Sequence, residues 1–346
     1  MSERIVGKPS PRRLDSLLEG NLGAKSEKII LGPGAGLDAA VLDIGGGMIM
    51  AIAEDPIFPA PNLPLELMGY FTVHIGASDV AVMGVKPRFM TYTLLLPTSC
   101  DEDCASLIIK SISETAAEMG ITIAGGHTGW YDAVAVPIVG GVTVWGFAPS
   151  DRWISPGGAR DGDVILMTKG PAIEAAALLG VLYREKLCGR MSPGLIEKAC
   201  ARTSEISVVA DALTAYGASP GVHAMHDATE GGVLGGLWEM QSASGIPVQA
   251  DIDGIPVPDD IKALSEALGF DPWQAISEGT LLAAVAPEAA DAVSEELMKK
   301  GIDSFRLGRF NASAAGGALK RGGRETPLAE PGVDPFWDLF FKGLNG

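Results

Sequence analysis

Positive charge is what this sequence is shortest of: 26 Lys and Arg stand against 43 Asp and Glu, a formal net charge of −17 over 346 residues. A surface of that sign repels phosphate backbones and anionic headgroups, which excludes a non-specific grip on nucleic acid or on a membrane. It also constrains any phosphate ligand, because an acidic protein holds a triphosphate most easily through a bridging cation. Cysteine is scarce as well. Cys100, Cys104, Cys188 and Cys200 form no disulfide framework in a chain this long. Cys100 and Cys104, at i and i+4 around a helix start, read as two ordinary thiols. Met1 to Leu14 has no apolar core of a signal peptide. The stretch from Ala133 to Pro149 is shorter than a membrane span and is broken by Pro137, Gly140 and Gly141. These absences describe a cytoplasmic protein without membrane or nucleic-acid partners.

What is present is apolar substance and glycine. Hydrophobic residues make up 47%, enough for a core in each of two domains. The 45 glycines gather in short loops, the pattern of tight strand–helix junctions. Residues 1–13 read as a polar, mobile leader and Leu14–Glu19 as a short helix. Strands are predicted at Ala39–Leu42, Met48–Ala53, Arg88–Leu96, Ile121–Ala124 and Val134–Val144. Helices are predicted over Leu65–Met83 and from an Asp101 cap to Met119. At Ala148–Gly158 the pattern dissolves into Pro, Ser and Gly, which sets a domain boundary and gives 1–150 and 151–346. The second half repeats the alternation: strands at Asp163–Thr168, Val222–Met225, Thr280–Val285 and Ser304–Leu307, with helices that include Glu230–Ala243, Asp259–Leu268 and Pro287–Lys299. Strands alternating with helices imply α/β layers in both halves.

Four acidic sites stand out. Asp38 follows Gly34-Ala35-Gly36, a loop whose backbone N–H groups can approach phosphate oxygens while the Asp ligates a metal; an Asp that caps a turn is the plain alternative. Asp55 follows the apolar run Ile49–Ala53, at a strand edge where a carboxylate serves a metal or solvent. Asp79 lies in an apolar helical stretch, where burying an unpaired carboxylate is costly and a cation is a good partner. Asp227, in His226-Asp227-Ala228-Thr229-Glu230-Gly231-Gly232, ends a strand and opens a helix. It can reach a metal, or it or Thr229 can cap the helix. Gly125-Gly126-His127-Thr128 reads as a further strand-ending loop. The four histidines lie in or beside these loops, without the close His/Cys set of a zinc site.

The order of these motifs resembles the aminoimidazole ribonucleotide synthetase (PurM-like) superfamily, which includes thiamine-monophosphate kinase, selenophosphate synthetase and the hydrogenase-maturation protein HypE. The resemblance runs from about Gly32 to Leu307 and is nearest to HypE, through Asp55-Pro56-Ile57-Phe58-Pro59 and His223-Ala224-Met225-His226-Asp227-Ala228-Thr229. It implies a two-domain fold, a homodimer that pairs N-terminal sheets, and ATP bound between the domains. Asp38, Asp55, Asp79 and Asp227 would hold Mg²⁺ against the phosphates. Gly34, Gly36, Gly125, Gly126, His127 and Thr128 would bind nucleotide, with His127 standing where many members have Asp or Glu. His226 and Glu278 are candidates for acid–base or contact roles and Lys169 for phosphate contact; each is equally open to a structural role. No cysteine follows Cys200, where HypE carries a terminal one, and none precedes Cys100, where selenophosphate synthetase carries a reactive one. Neither signature reaction fits. The expected function is Mg²⁺-dependent use of ATP to phosphorylate or activate a small substrate's oxygen. The alternative is a nucleotide-binding maturation or regulatory protein that acts through a partner without turnover.

Overall fold

The computed structural model describes residues 6–60 and 63–344, the last by its backbone alone. In chain order the elements are α1 (Pro11–Leu18), β1 (Ile29–Leu31), β2 (Ala40–Gly45), β3 (Met48–Ile57), α2 (Leu65–Val82), β4 (Pro87–Leu96), α3 (Glu102–Met119), β5 (Thr122–Trp130) and β6 (Ile138–Pro149). There follow β7 (Val164–Thr168), α4 (Ile173–Leu182), α5 (Arg184–Leu187), α6 (Pro193–Ala201), α7 (Val209–Ala218), β8 (Val222–Asp227), α8 (Gly232–Ser244), β9 (Val248–Asp251) and α9 (Asp259–Leu268). The chain ends with β10 (Leu281–Val285), α10 (Ala290–Lys299), β11 (Ser304–Phe310), β12 (Ala318–Arg321), β13 (Arg324–Pro327) and α11 (Pro335–Leu344).

The strands form two sheets, ordered β1-β2-β3-β6-β4-β5 and β13-β12-β9-β11-β7-β10-β8. Most neighbours are antiparallel; β4 with β5 and β9 with β12 are parallel. In β3, Ile49, Ala51 and Ala53 are buried while Met50 and Ile52 are only half-buried, the alternation of a strand with one covered face. That face carries α2, with α3 packed beside it. β10 is buried on both sides: Leu282 and Ala284 join the core beneath α8, whereas Leu281, Ala283 and Val285 join that beneath α7 and α10. The last residues of α2, Ala81 and Val82, enter this second core, so α2 ties the two sheets together.

Several local expectations change. Residues from 6 onward in the expected mobile leader are tied down. The Lys8 N–H donates to Glu230 Oε2 at 2.8 Å, and Arg12 pairs with Glu330 at 3.2 Å. Helix α1 begins at Pro11, three residues before the expected start, because proline's fixed φ suits the first helical turn. Gly125-Gly126-His127-Thr128 is not a loop. It lies within β5, where pairing to β4 supplies the hydrogen bonds that glycine's low strand propensity did not lead one to expect. Cys100 and Cys104 are not separate thiols but a disulfide. Asp101 caps α3 by accepting from Cys104 N at 2.9 Å, and the Cα atoms lie 5.9 Å apart, within bridging range. The C-terminal aromatics form α11, with Phe336 and Phe340 buried in the core and Leu339 O accepting from Tyr183 Oη at 2.6 Å.

Candidate functional site

Carboxylates from both sheets converge in one place. Asp38 arrives just before β2, on a loop braced from two sides. Ala35 N donates to Asp15 Oδ1 at 3.1 Å, and Gly36, at φ +73°, passes so close to α8 that a Cβ would lie 2.9 Å from Glu239 Cβ. Only glycine suits both that conformation and that approach. Asp55 lies in β3 opposite Val142, and Asp79, half-buried on α2, is raised by burial and then by Asp55. Asp227 ends β8. Glu278 lies on the turn before β10, where Ser277 and Thr280 hydroxyls meet at 2.7 Å and Thr280 Oγ1 donates to Gly170 O at 2.6 Å.

His226 links the halves. Its Nδ1 lies 2.7 Å from Asp38 Oδ1, an ion-pair contact off the line of a good hydrogen bond, and its Nε2 lies 3.0 Å from Glu239 Oε2. Burial alone would lower its pKa, but Asp38 and then Glu239 hold it well above the usual imidazole range. The imidazolium is therefore a clamp between carboxylates.

The expected helix cap at this turn is not made by Asp227 or Thr229. Gly231 and Gly232 take φ of +83° and +61°, so α8 starts two residues later than expected with Gly231 at its N-cap. Asp334 accepts from Gly231 N at 2.8 Å and Thr229 Oγ1 accepts from Lys8 Nζ at 3.2 Å. Asp227 is left 1% exposed with both carboxylate oxygens unpartnered in the protein. Asp38 Oδ2, Asp55 Oδ2 and Glu278 Oε1 are likewise buried without a partner. Buried acceptors without donors are expensive, and a hard divalent cation with oxygen ligands meets their need. Asp38 and Asp227 bring carboxylate oxygens within 4.8 Å of one another, beside His226. The donor set fits Mg²⁺.

The electrostatics agree. Burial, then Asp38 and Asp55, pushes Asp227 up to about 7 against the pull of His226. Asp79 is raised well above the carboxylate range by burial and by Asp55, Asp227 and Asp38. Glu278 is raised by burial, then Asp227 and Glu174, and Glu174 itself is pushed up to about 8, chiefly by burial. Burial and mutual repulsion thus favour a proton or a cation on these groups.

Among the expected residues, then, Asp38, Asp55, Asp79, Asp227, His226 and Glu278 meet, with Gly34 and Gly36 alongside on the Asp38 loop. Lys169 is engaged by other groups: its Nζ pairs with Asp211 at 3.0 Å and donates to Ser207 O at 2.8 Å. There it keeps His74, already depressed by burial, down at about 4. Gly125, Gly126, His127 and Thr128 lie on the sheet edge, where His127 Nε2 contacts Tyr131 Oη at 2.7 Å. His223 pairs with Asp163 at 2.9 Å. Sequence reasoning missed Lys8, Glu174 and Glu239. Glu174 and Glu239 are lone charges in apolar helical stretches, the signal that exposed Asp79. Lys8 carries no such signal.

Fold and site together define a two-sheet α/β protein with a buried, cation-fitting carboxylate cluster built from both halves. The chain belongs to the AIR synthase related family: the profile of its N-terminal domain matches residues 36–148 and that of its C-terminal domain residues 160–319. Carbamoyl dehydratase HypE of Cupriavidus necator is 30% identical over 264 residues, covering 75% of this chain and 71% of that protein. Selenide, water dikinase of Aeromonas hydrophila is 29% identical over 256 residues, covering 73% and 70%. Among solved structures, a HypE–HypF complex matches at TM-score 0.73 and 19% identity, covering 92% of this chain and 99% of that one. ThiL complexed with AMPPCP and TMP matches at TM-score 0.70 and 16% identity, covering 91% and 96%. These two likenesses establish the PurM-like fold. Among the described residues, no helix is long and apolar enough to cross a membrane.

Proposed function

We propose that this protein binds ATP with Mg²⁺ in the cleft and uses the terminal phosphate to phosphorylate or activate an oxygen of a small substrate. The observation that carries the reading is the set of buried, donor-less carboxylate oxygens on Asp38, Asp55, Asp227 and Glu278, drawn from both halves of the chain. Relatives support it: the ThiL structure holds AMPPCP, an ATP analogue, and selenide, water dikinase is named for phosphoryl transfer. In this reading Asp38, Asp55, Asp79 and Asp227 hold the metal, which neutralises charge on the phosphates. His226 fixes Asp38. The Gly34–Gly36 backbone faces the phosphates, and Glu278 handles a proton at the acceptor side. We keep 1–150 and 151–346 as the proposed domains.

Purified protein with Mg²⁺–ATP is expected to release ADP slowly, and faster when the right small acceptor is added. The likeness to HypE and to a HypE–HypF complex favours one second reading, a maturation or regulatory protein that works through a partner. ADP formation that stays at background with small acceptors, alongside nucleotide-dependent binding to a maturation protein, would favour that second reading.

We also propose a homodimer through the open face of the six-stranded sheet. Phe89 stacks on Trp145 there, with centroids 5.9 Å apart, and Phe147 beside them is 39% exposed. Apolar surface of this kind marks an interaction site. Light scattering is expected to give about twice the 35.8 kDa of one chain; a mass near 35.8 kDa would contradict it.

A further inference from the structure

The turn that follows Asp227 is held from outside by the C-terminal segment. Between Asp227 and α8 the chain passes through Gly231 and Gly232, both at positive φ. Glycine has the widest choice of conformation, so these two positions most need an anchor. On one side the turn is fastened to the turn before β10: Ala228 N donates to Thr280 O at 2.9 Å and Ser277 N to Thr229 O at 3.3 Å. On the other side the fastening is a single carboxylate. Asp334 Oδ2 accepts from Gly231 N at 2.8 Å, and its Oδ1 accepts from Phe336 N at 2.8 Å. One side chain, 4% exposed, thus serves the first turns of both α8 and α11. Packing fixes its own place. Pro335 opens α11, Phe336 and Phe340 are buried in the core, and Tyr183 Oη donates to Leu339 O at 2.6 Å. Pro331 closes over Gly231, where an added Cβ would lie 2.9 Å from the proline Cβ. Beside it Glu230 Oε2 accepts from Trp337 Nε1 at 2.9 Å and from Lys8 N at 2.8 Å, so segments near both termini meet at this turn.

We propose that Asp334 is a positioning residue for the metal site: through Gly231 N it sets where the Asp227 turn lies against the carboxylates of the other sheet, which makes the C-terminal helix part of the scaffold of the site. The inference rests on the reading of the carboxylate cluster as a Mg²⁺ site. Asp334 touches neither metal nor nucleotide in this role and acts only through the backbone of the turn. A metal ligand is only as well placed as the residues that support it. Without the carboxylate, Gly231 N loses its buried acceptor, the two glycines regain their freedom, and Asp227 drifts from its place beside Asp38.

The test measures Mn²⁺ binding to the full-length, nucleotide-free protein at a temperature where every variant is folded. It also records the spectrum of the bound ion, which reports the arrangement of its ligands. Asp334→Ala is expected to weaken Mn²⁺ binding about 10-fold or more and to change that spectrum. Asp334→Asn keeps the shape but turns an amide NH₂ toward one of the two N–H groups, and its loss is expected to be intermediate. Phe340→Ala removes core packing from the same helix and leaves the carboxylate in place. It should lower the melting temperature while affinity and spectrum stay near those of the original. Unchanged affinity and spectrum in the Asp334 variants, whatever their stability, would overturn the positioning role and leave the metal site standing. Equal weakening by Phe340→Ala would overturn it too, since the helix as a whole and not the carboxylate would then set the site. Should Asp334→Ala fail to fold, Asp334→Asn carries the same decision. No Mn²⁺ binding by the original protein would sink both the metal-site reading and this inference.

Discussion

Asp227→Asn is expected to weaken Mg²⁺–ATP binding about 100-fold or more and, at the same time, to raise the melting temperature of the metal-free protein by a few degrees. The two effects have one cause. In the metal-free cleft Asp227 is buried, has no donor for either oxygen, and is crowded by Asp38 and Asp55, so losing its charge relieves repulsion. With metal bound, that same charge is the binding interaction; removing even groups that merely support a ligand costs 10–100-fold in affinity. Asp79→Asn should follow the same pattern, because Asp55, Asp227 and Asp38 all raise its pKa. The double variant should lose less than the sum of the two, since the residues act on one another. Calorimetry of Mg²⁺–ATP binding and thermal melts in EDTA check both halves. A variant that lost stability as well as binding would point to a structural role.

The second large effect is on pH dependence. Asp227 at about 7, Glu174 at about 8, and the raised Asp79, Glu278 and Asp38 all bind protons more tightly folded than unfolded. Their contribution to stability is complete below the unfolded carboxylate range, near pH 4, and is lost as pH rises through the folded values. His226, raised by Asp38 and Glu239 against its burial, has the same sign over a higher window. Metal-free protein should therefore melt several degrees lower at pH 8 than at pH 6, and saturating Mg²⁺ should remove most of that difference. A flat profile in EDTA would show that the carboxylates are not crowded in solution.

How legible the site was depended on the kind of signal. Asp79 was readable because a charge in an apolar helix needs a partner. Asp38 and Asp227 were readable because Gly-rich turns at strand ends leave room for ligands. The same reasoning would have reached Glu174 and Glu239 had it been applied to α4 and α8. Lys8 was out of reach, since its contact to Thr229 spans 221 residues and its neighbours read as a polar leader. Gly125–Thr128 misled because four residues rich in glycine look like a turn until a neighbouring strand is seen beside them. The β12–β13 hairpin was missed although Gly322-Gly323, both at positive φ, is a two-residue hairpin signal. The α/β layering was visible; the mostly antiparallel pairing was not, because strand direction is set by partners far away in sequence.

The central claim is that this cleft takes a nucleotide only through a divalent cation. Titrating ATP into the protein by calorimetry, once with Mg²⁺ and once with EDTA, tests it directly. Carboxylates facing a triphosphate repel it until a cation intervenes, so binding in EDTA is expected to be at least about 100-fold weaker than in Mg²⁺. Equal affinity under the two conditions would contradict the account.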